Sequence, residues 1–157
     1  MFTTLTETEL GPMTLTAPEF PPRQFDGKKG HLWQWEGDGG ELISLTVAVR
    51  ESLLVTDRGV RDHLTWEVGQ LKENLDAGSD TQVAHRPVEV AGADASAAAL
   101  VDGYREGHAV RSQLVVTTDG ARYMYVVHAL VPDHAQGWEM ADVVTSGIRI
   151  YPWTMPS

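Results

Sequence analysis

Three residues whose side chains could act on a ligand, Asp102, Arg111 and His128, fall in three consecutive β-rich segments. The dipeptides Glu106-Gly107 and Asp119-Gly120 separate these segments, and a two-residue turn at each would set the register of strand pairing. In that register Asp102 lies opposite Arg111, and Arg111 lies opposite His128. The three side chains would then form one row across a sheet.

Such a row has two interpretations. An Asp–Arg pair beside a histidine could hold an anion or bring the pKa of the imidazole near neutrality. A plain cross-strand ion pair on a solvated sheet face would instead contribute at most ~1 kcal/mol to stability. The residue types favour the ion pair over a ligand or partner contact, and they favour such a contact over catalysis.

Apolar residues adjoin this row on the same predicted face, and something must cover them. A predicted helix is the structural explanation, whereas a partner protein or a second copy of the chain is the functional one. A register shift of one residue would move all of them to the opposite face. These residues are Leu100, Val115, Met124, Val126 and Leu130.

Three of the five tryptophans are candidates for exposed aromatic anchors, which are enriched at protein interfaces. Trp35 adjoins a Gly-rich loop, Trp66 lies off the apolar stripe of its predicted helix, and Trp153 belongs to the C-terminal tail. Core packing is the alternative for each.

The composition limits the classes of function. The 157 residues carry a formal net charge of −10, which argues against a general binder of nucleic acid or anionic membranes. The absence of cysteine excludes disulfides and thiolate metal sites. There is no run of about 18 apolar residues that could span a membrane. The first ten residues also lack the features of a secretory signal, so the simplest predicted location is the cytoplasm.

No local motif of a known chemistry is present. The six histidines lack the spacing of a zinc site, and there is no nucleophile elbow, P-loop or dinucleotide-binding fingerprint. The GDGG segment at 37–40 lacks the following helix that would bind phosphate. We therefore predict no cofactor, no metal and no enzymatic activity.

Two helices and about six strands must position these residues. An apolar stripe at helical spacing predicts a helix with an N-cap at Asp62 and a stop at Gly78. A second helix begins near Asp133 and ends at Gly147. The alanine-rich segment 93–106 could be helical on propensity, but the turn that follows it favours a strand. The stripe of the first helix comprises Leu64, Val68, Leu71 and Leu75.

The order of the elements predicts an α+β fold, an antiparallel sheet of about six strands flanked by two main helices. A hairpin is expected over 32–49, followed by strands at 82–85, 93–106, 108–118 and 121–131, and near 148–152. We expect a single domain over 1–157, with an irregular N-terminal segment over about 1–30 and a short tail over 152–157.

The C-terminal half, from VEVAGADAS to SGIRI, resembles the Mog1/PsbP-like superfamily, which includes LpqN-type lipoproteins, DcrB-type proteins and Eag chaperones. The resemblance rests on a small-residue lead-in, two hairpin strands, a helix containing Trp138, and the helix-to-strand passage ADVVTSGIRI. It implies an antiparallel sheet sandwiched by helices and a function of holding another protein, without a shared catalytic centre.

These observations predict a non-enzymatic protein-binding module, an adaptor or chaperone, that also forms a homodimer. Its partner would be another protein or a segment of one, with no nucleic acid and no membrane span. The alternatives are a small-molecule-binding protein or enzyme with a sheet–helix pocket around Arg111 and His128, and a permanent subunit of a larger complex. The predicted contact residues are Asp102, Arg111, Val115, Met124, Val126, His128, Trp35, Trp66 and Trp153.

Overall fold

The computed structural model describes residues 4–25, 30–37, 39–51, 56–77 and 80–151. Within these ranges it contains ten strands and two helices. They are β1 (Leu5–Leu10), β2 (Met13–Pro18), β3 (Arg23–Phe25), β4 (Gly30–Glu36), β5 (Leu42–Glu51), α1 (Asp57–Glu73), β6 (Gln82–Arg86), β7 (Ala95–Arg105), β8 (His108–Thr118), β9 (Tyr123–Pro132), α2 (Ala135–Ser146) and β10 (Arg149–Ile150).

The strands form two antiparallel sheets. The larger has seven strands in the order β3-β4-β5-β9-β8-β7-β6, and the smaller has three in the order β1-β2-β10. Helix α1 packs on one face of the large sheet over β7 and β8. Helix α2 and the small sheet cover the opposite face. The predicted α+β fold with two flanking helices is confirmed, although the strands are more numerous than expected.

Each face of the large sheet carries its own hydrophobic cluster. Val115 and Val127 pack with α2 and the small sheet, whereas Leu114, Val116 and Val126 pack with α1. Successive residues of the central strands β8 and β9 therefore enter different cores. A sheet buried on both faces produces long apolar runs rather than an alternating pattern, which explains the hydrophobic segment at 124–132.

The N-terminal region is regular, which corrects the expectation of an irregular segment over about 1–30. Strand β2 buries Met13, Leu15 and Ala17 completely between the small sheet and the large one. Their alternation with Thr14 and Thr16 is a period-two sequence pattern typical of a strand, although Thr14 is buried as well. The pattern was present in the sequence but is short and framed by proline. The expected tail at 152–157 lies outside the described residues.

Helix α1 begins five positions before the predicted cap. Thr56 is the N-cap, and its hydroxyl accepts a hydrogen bond from the Gly59 N–H at 3.1 Å. Asp62 lies inside the helix and is exposed. The helix ends at Glu73 with Asn74 as its C-cap, and the predicted stop at Gly78 lies outside the described residues. Helix α2 ends at Gly147 as predicted, and its N-cap is His134.

The turn between β7 and β8 is the two-residue turn that the sequence predicts. Glu106 and Gly107 both have positive φ, 53° and 82°, as a type I′ turn requires. The resulting register places Asp102 opposite Arg111. The strand interpretation of the alanine-rich segment is confirmed as well, because β7 spans Ala95–Arg105.

The turn between β8 and β9 differs from the prediction. Thr118 pairs with Met124 rather than with Ala121, so a wider loop over residues 119–122 joins the two strands. The Asp119 carboxylate holds this loop, because its Oδ1 accepts hydrogen bonds from three backbone N–H groups at 2.8–3.0 Å. The register changes by three positions, an odd number, so the residues of β9 lie on the opposite face from the one predicted.

Candidate functional site

The Asp102–Arg111 pair is the part of the predicted row that the structure retains. The Arg111 guanidinium donates two hydrogen bonds to the Asp102 carboxylate, from Nε to Oδ1 at 2.7 Å and from Nη2 to Oδ2 at 3.0 Å. This fork geometry is the strong, bidentate form of the arginine–carboxylate interaction. Both side chains remain partly accessible at the surface, with 19% and 29% of the side chain exposed.

Helix α2 and the connection that leads into it supply the remaining members of this site, Trp138 and Asp133. The Arg111 guanidinium carbon lies 4.5 Å from the centroid of the Trp138 ring, within the range of a cation–π interaction. The Trp138 indole N–H donates to Asp133 Oδ1 at 2.7 Å. Asp133 also lies 3.9 Å from Arg111 Nε. We refer to Asp102, Arg111, Asp133 and Trp138 as the Arg111 cluster.

The fold brings these residues together by joining the end of β9 to the start of α2. Strand β9 continues to Pro132, next to the start of β8, and the Asp133 N–H donates to the Ala109 carbonyl at 3.1 Å. The helix then begins after its His134 cap, so Trp138 lies in its first turn, beside β8. Trp138 stands at helical spacing from the buried Ala141 and Val144, yet it is itself 38% exposed. The sequence feature that could have indicated its exposure is that Trp138 falls in the first turn of a helix that directly follows a buried strand.

The Arg111 cluster is predominantly acidic. The hydrogen bond to Asp102 raises the pKa of Arg111, burial opposes this, and the charges of Asp102, Asp133 and Asp142 raise the pKa further. Three carboxylates thus surround one guanidinium. Tyr104, which is 44% exposed, follows Asp102 by two residues on the same face of β7 and extends the aromatic surface.

His128 does not belong to the Arg111 cluster. It pairs with Leu114 of β8 and with Thr46 of β5, so it lies on the α1 face of the sheet, opposite to Arg111. Its Nε2 is buried and has no hydrogen-bond partner among the described residues. Burial and the charge of Arg105 lower the pKa of His128 to about 4, so the imidazole is neutral near pH 7. A pocket shared by Arg111 and His128 is therefore not formed.

The apolar residues predicted beside the row are interior residues divided between both faces. Val115 packs in the cluster of α2 and the small sheet, while Met124, Val126 and Leu130 pack in the cluster of α1. Val115, Met124 and Val126 are only 1%, 8% and 5% exposed. The chain's own helices and small sheet account for their covering, and the expectation that they share a face is wrong.

The three candidate tryptophans have different surroundings. Trp35 is half-buried and meets Phe20 edge-to-face, with ring centroids 6.0 Å apart. Trp66 is 54% exposed on the outer side of α1, where its ring stacks on His63 at 5.6 Å. Trp153 lies outside the described residues. Trp66 is thus the one of the two described candidates with a largely exposed ring.

A separate groove lies on the other side of the molecule from the Arg111 cluster. It has a volume of about 770 Å³ and runs between α1 and the edge of the large sheet at β6 and β7. Its walls come from α1, from β6 and the segment that follows it, and from the start of β7. The lining residues are Arg61, Leu64, Thr65, His85, Arg86, Pro87, Val88, Glu89, Ser96, Ala97 and Ala98.

Within the described ranges, the structure contains neither a helix suited to span a membrane nor a group of side chains suited to bind a metal ion. Neither described helix has the length and apolar character needed to cross a membrane. In the same ranges, no three His, Asp or Glu side chains come together in an arrangement that could hold a metal ion.

Comparison with known proteins identifies a fold. Neither the known protein families nor the curated proteins contain a significant match to the sequence. Among solved structures, the chain is similar to LpqN of Mycobacterium tuberculosis, a protein involved in cell envelope biogenesis. The TM-score is 0.53 and 17% of residues are identical, over 95% of this chain and 84% of LpqN.

A second similar structure is PA94 of Pseudomonas aeruginosa, a protein of unknown function. The TM-score is 0.46 and 14% of residues are identical, over 87% of this chain and 92% of PA94. The likeness to LpqN shows that the chain shares the LpqN fold, and LpqN-type proteins are among those that its C-terminal half resembles. At this level of identity, the likeness is informative about the fold alone.

Proposed function

We propose that this protein is a protein-binding module that contacts a basic segment of another protein through the Arg111 cluster. The observation that carries the proposal is the state of Trp138, which is exposed to solvent and yet held in place. Its indole N–H is bonded to Asp133 at 2.7 Å and its ring lies against Arg111 at 4.5 Å. Arg111 in turn is fixed by its two hydrogen bonds to Asp102.

Rigid aromatic and arginine side chains are the residue types that dominate binding energy at protein interfaces. A partner that contacts Trp138 would lose little side-chain entropy from this surface, since the indole already occupies one orientation. Tyr104 adds a second exposed ring near the cluster. These features favour recognition of a protein surface over a catalytic role. The one guanidinium of the cluster is already hydrogen-bonded to the Asp102 carboxylate and so is not free to act on a substrate.

The charge of the cluster indicates the chemistry of the partner. Asp102, Asp133 and Asp142 surround Arg111, and the whole chain carries a formal net charge of −10. A lysine- or arginine-rich segment would be attracted to this surface and would associate faster at low ionic strength. We also predict that the protein forms a homodimer and is located in the cytoplasm.

Affinity co-purification from the native cell, followed by mass spectrometry, tests the proposal. We expect a stoichiometric protein to be retained by the wild type and lost with Trp138→Ala. Trp66→Ala is the matched control, because it removes another exposed indole outside the cluster.

The captured protein is then purified and titrated against both variants at low and high salt. Binding that Trp138→Ala leaves unchanged, or that rises with salt, would contradict the proposal. Recovery of the protein alone from every sample would do the same.

A further inference from the structure

The groove between α1 and the sheet edge exists because β7 begins with small side chains. Ala97 faces α1, and its methyl group does not fill the space beside Leu64 and Thr65. Ser96 and Ala98 also line the groove at the edge of the strand, although their side chains lie on the opposite face of the sheet. Further along the same face of β7, Val101 packs in the cluster that α1 covers. The alanine-rich sequence therefore creates an open channel at one end of the helix.

The sheet also has an unpaired edge at this point. Strand β6 pairs with Ala98–Asp102 only, and its chain leaves the sheet at Pro87. Residues 95–97 of β7 are bonded to β8 on one side and pair with no described strand on the other. Alternate N–H and C=O groups of such an edge are available to an added strand.

Cationic side chains line the same groove on an otherwise acidic chain. Arg61 and Arg86 contribute two guanidinium groups, and His85 lies next to Arg86. Arg86 is exposed and has no ion pair among the described residues, while Arg61 pairs with Asp57 at 3.1 Å at the surface. Glu89 is the one carboxylate among the lining residues, so cations predominate.

We infer that the groove binds an extended, acidic segment of another polypeptide, which adds to the edge of β7 at residues 95–97. Backbone hydrogen bonds to this edge would orient the segment, and its carboxylates would meet Arg61 and Arg86. An apolar side chain of the segment would lie on Ala97 beside Leu64. This surface does not depend on the Arg111 cluster, which lies toward the other end of β7.

Fluorescence anisotropy with a short labelled peptide of alternating valine and glutamate tests this inference. We expect the wild type to bind this peptide and not its valine–lysine counterpart. In the double variant Arg61→Glu/Arg86→Glu we expect the dissociation constant to rise by about ten-fold or more. The matched control is Arg58→Glu/Arg23→Glu, which reverses two exposed arginines outside the groove and should leave binding unchanged, as should Trp138→Ala.

Two further measurements test strand addition itself. Methylation of alternate backbone nitrogens of the peptide should abolish binding, and bound peptide should slow amide hydrogen exchange in residues 95–97. Lack of measurable binding of the valine–glutamate peptide by the wild type would overturn the inference. Equal binding of the valine–lysine peptide would do so as well, and so would an equal loss of affinity in the two double variants. Displacement of the peptide by N-acetylglutamate alone at similar concentration would also overturn it, since the groove would then be a simple anion site.

Discussion

Arg111 and Asp102 face each other across β8 and β7 and are joined by two hydrogen bonds of 2.7 and 3.0 Å. The pair links the middle of the sheet to α2, because Arg111 also contacts Trp138. It is therefore a structural element of the surface as well as a part of the proposed contact site.

Removal of the Asp102 carboxylate should destabilise the protein measurably. We expect Asp102→Ala to lower the free energy of unfolding by about 1–2 kcal/mol, since hydrogen bonds to charged groups exceed neutral ones. Asp142→Ala is the control, because Asp142 acts on Arg111 through its charge alone. Urea unfolding followed by fluorescence measures both, and equal stabilities of the two variants would contradict the structural role.

His128 should make the protein less stable in acid. Burial lowers its pKa to about 4 from the ordinary value of 6.5, so the unfolded chain binds a proton at a higher pH than the folded chain does. Stability is therefore lost as the pH falls from 6.5 towards 4, by about 2 kcal/mol at pH 5. In His128→Leu, the decrease in the free energy of unfolding between pH 7 and pH 5 should be smaller by this amount.

Urea titrations at both pH values provide the comparison for His128. His85→Gln is the control, since His85 is exposed at the end of β6. We expect this control to keep the wild-type pH dependence. An identical loss of stability in wild type and His128→Leu would show that other groups cause it.

Met124 should behave as a core residue. Its side chain is 8% exposed and packs in the α1 cluster, so Met124→Ala should cost about 2–4 kcal/mol. Met124→Glu would bury a charge without a partner and should prevent folding rather than association. Thermal unfolding monitored by circular dichroism tests this, with the exposed Leu42→Ala as control. A folded, merely dissociated Met124→Glu protein would contradict the burial.

The wide loop of the β8–β9 hairpin should depend on Asp119. Its Oδ1 accepts three backbone hydrogen bonds, and we expect Asp119→Ala to cost about 1–2 kcal/mol, as the loss of a helix cap does. Asp119→Asn keeps an acceptor oxygen and should lose less. Urea unfolding compares the two variants. Equal losses would show that the negative charge, rather than the acceptor position, holds the loop.

Burial acts to raise the pKa of Asp119, but the N–H groups of Arg122, Tyr123 and Ala121 lower it below its ordinary value overall. The stabilisation that this carboxylate supplies is present above its unfolded pKa and is lost as the pH falls through the lower, folded value. The loss therefore falls at a more acidic pH than that expected for His128.

The two hairpin turns show what local sequence can and cannot predict. Glu106-Gly107 forms the expected tight turn, and the Asp102–Arg111 pairing follows from it. Asp119-Gly120 has the same signature, yet the Asp119 side chain satisfies backbone groups of a wider loop instead. The dipeptide alone does not show which of the two turns forms, because the tight turn and the wider loop favour the same residue types.

The acidic and aromatic part of the site was beyond local prediction for another reason. Arg111 and Trp138 meet only because β9 ends beside the start of β8 and α2 begins there, which is a tertiary relationship. The predicted register of β9 differs by three positions, so it places His128 opposite Arg111, where the structure has Val131. The fold class could be predicted from the sequence because it depends on the order and the type of the elements. An error in strand register changes neither of these.

The alanine-rich start of β7 also has a consequence for how the chain folds. Alanine is the best helix former, so in the unfolded chain the residues around 95–100 favour helix over strand. Their native conformation is imposed by pairing with β8, which is reached through a loop of only two residues. Closing so short a loop costs little entropy, so we expect this hairpin to be an early element of folding, on which the pairing of β6 and the packing of α1 then depend.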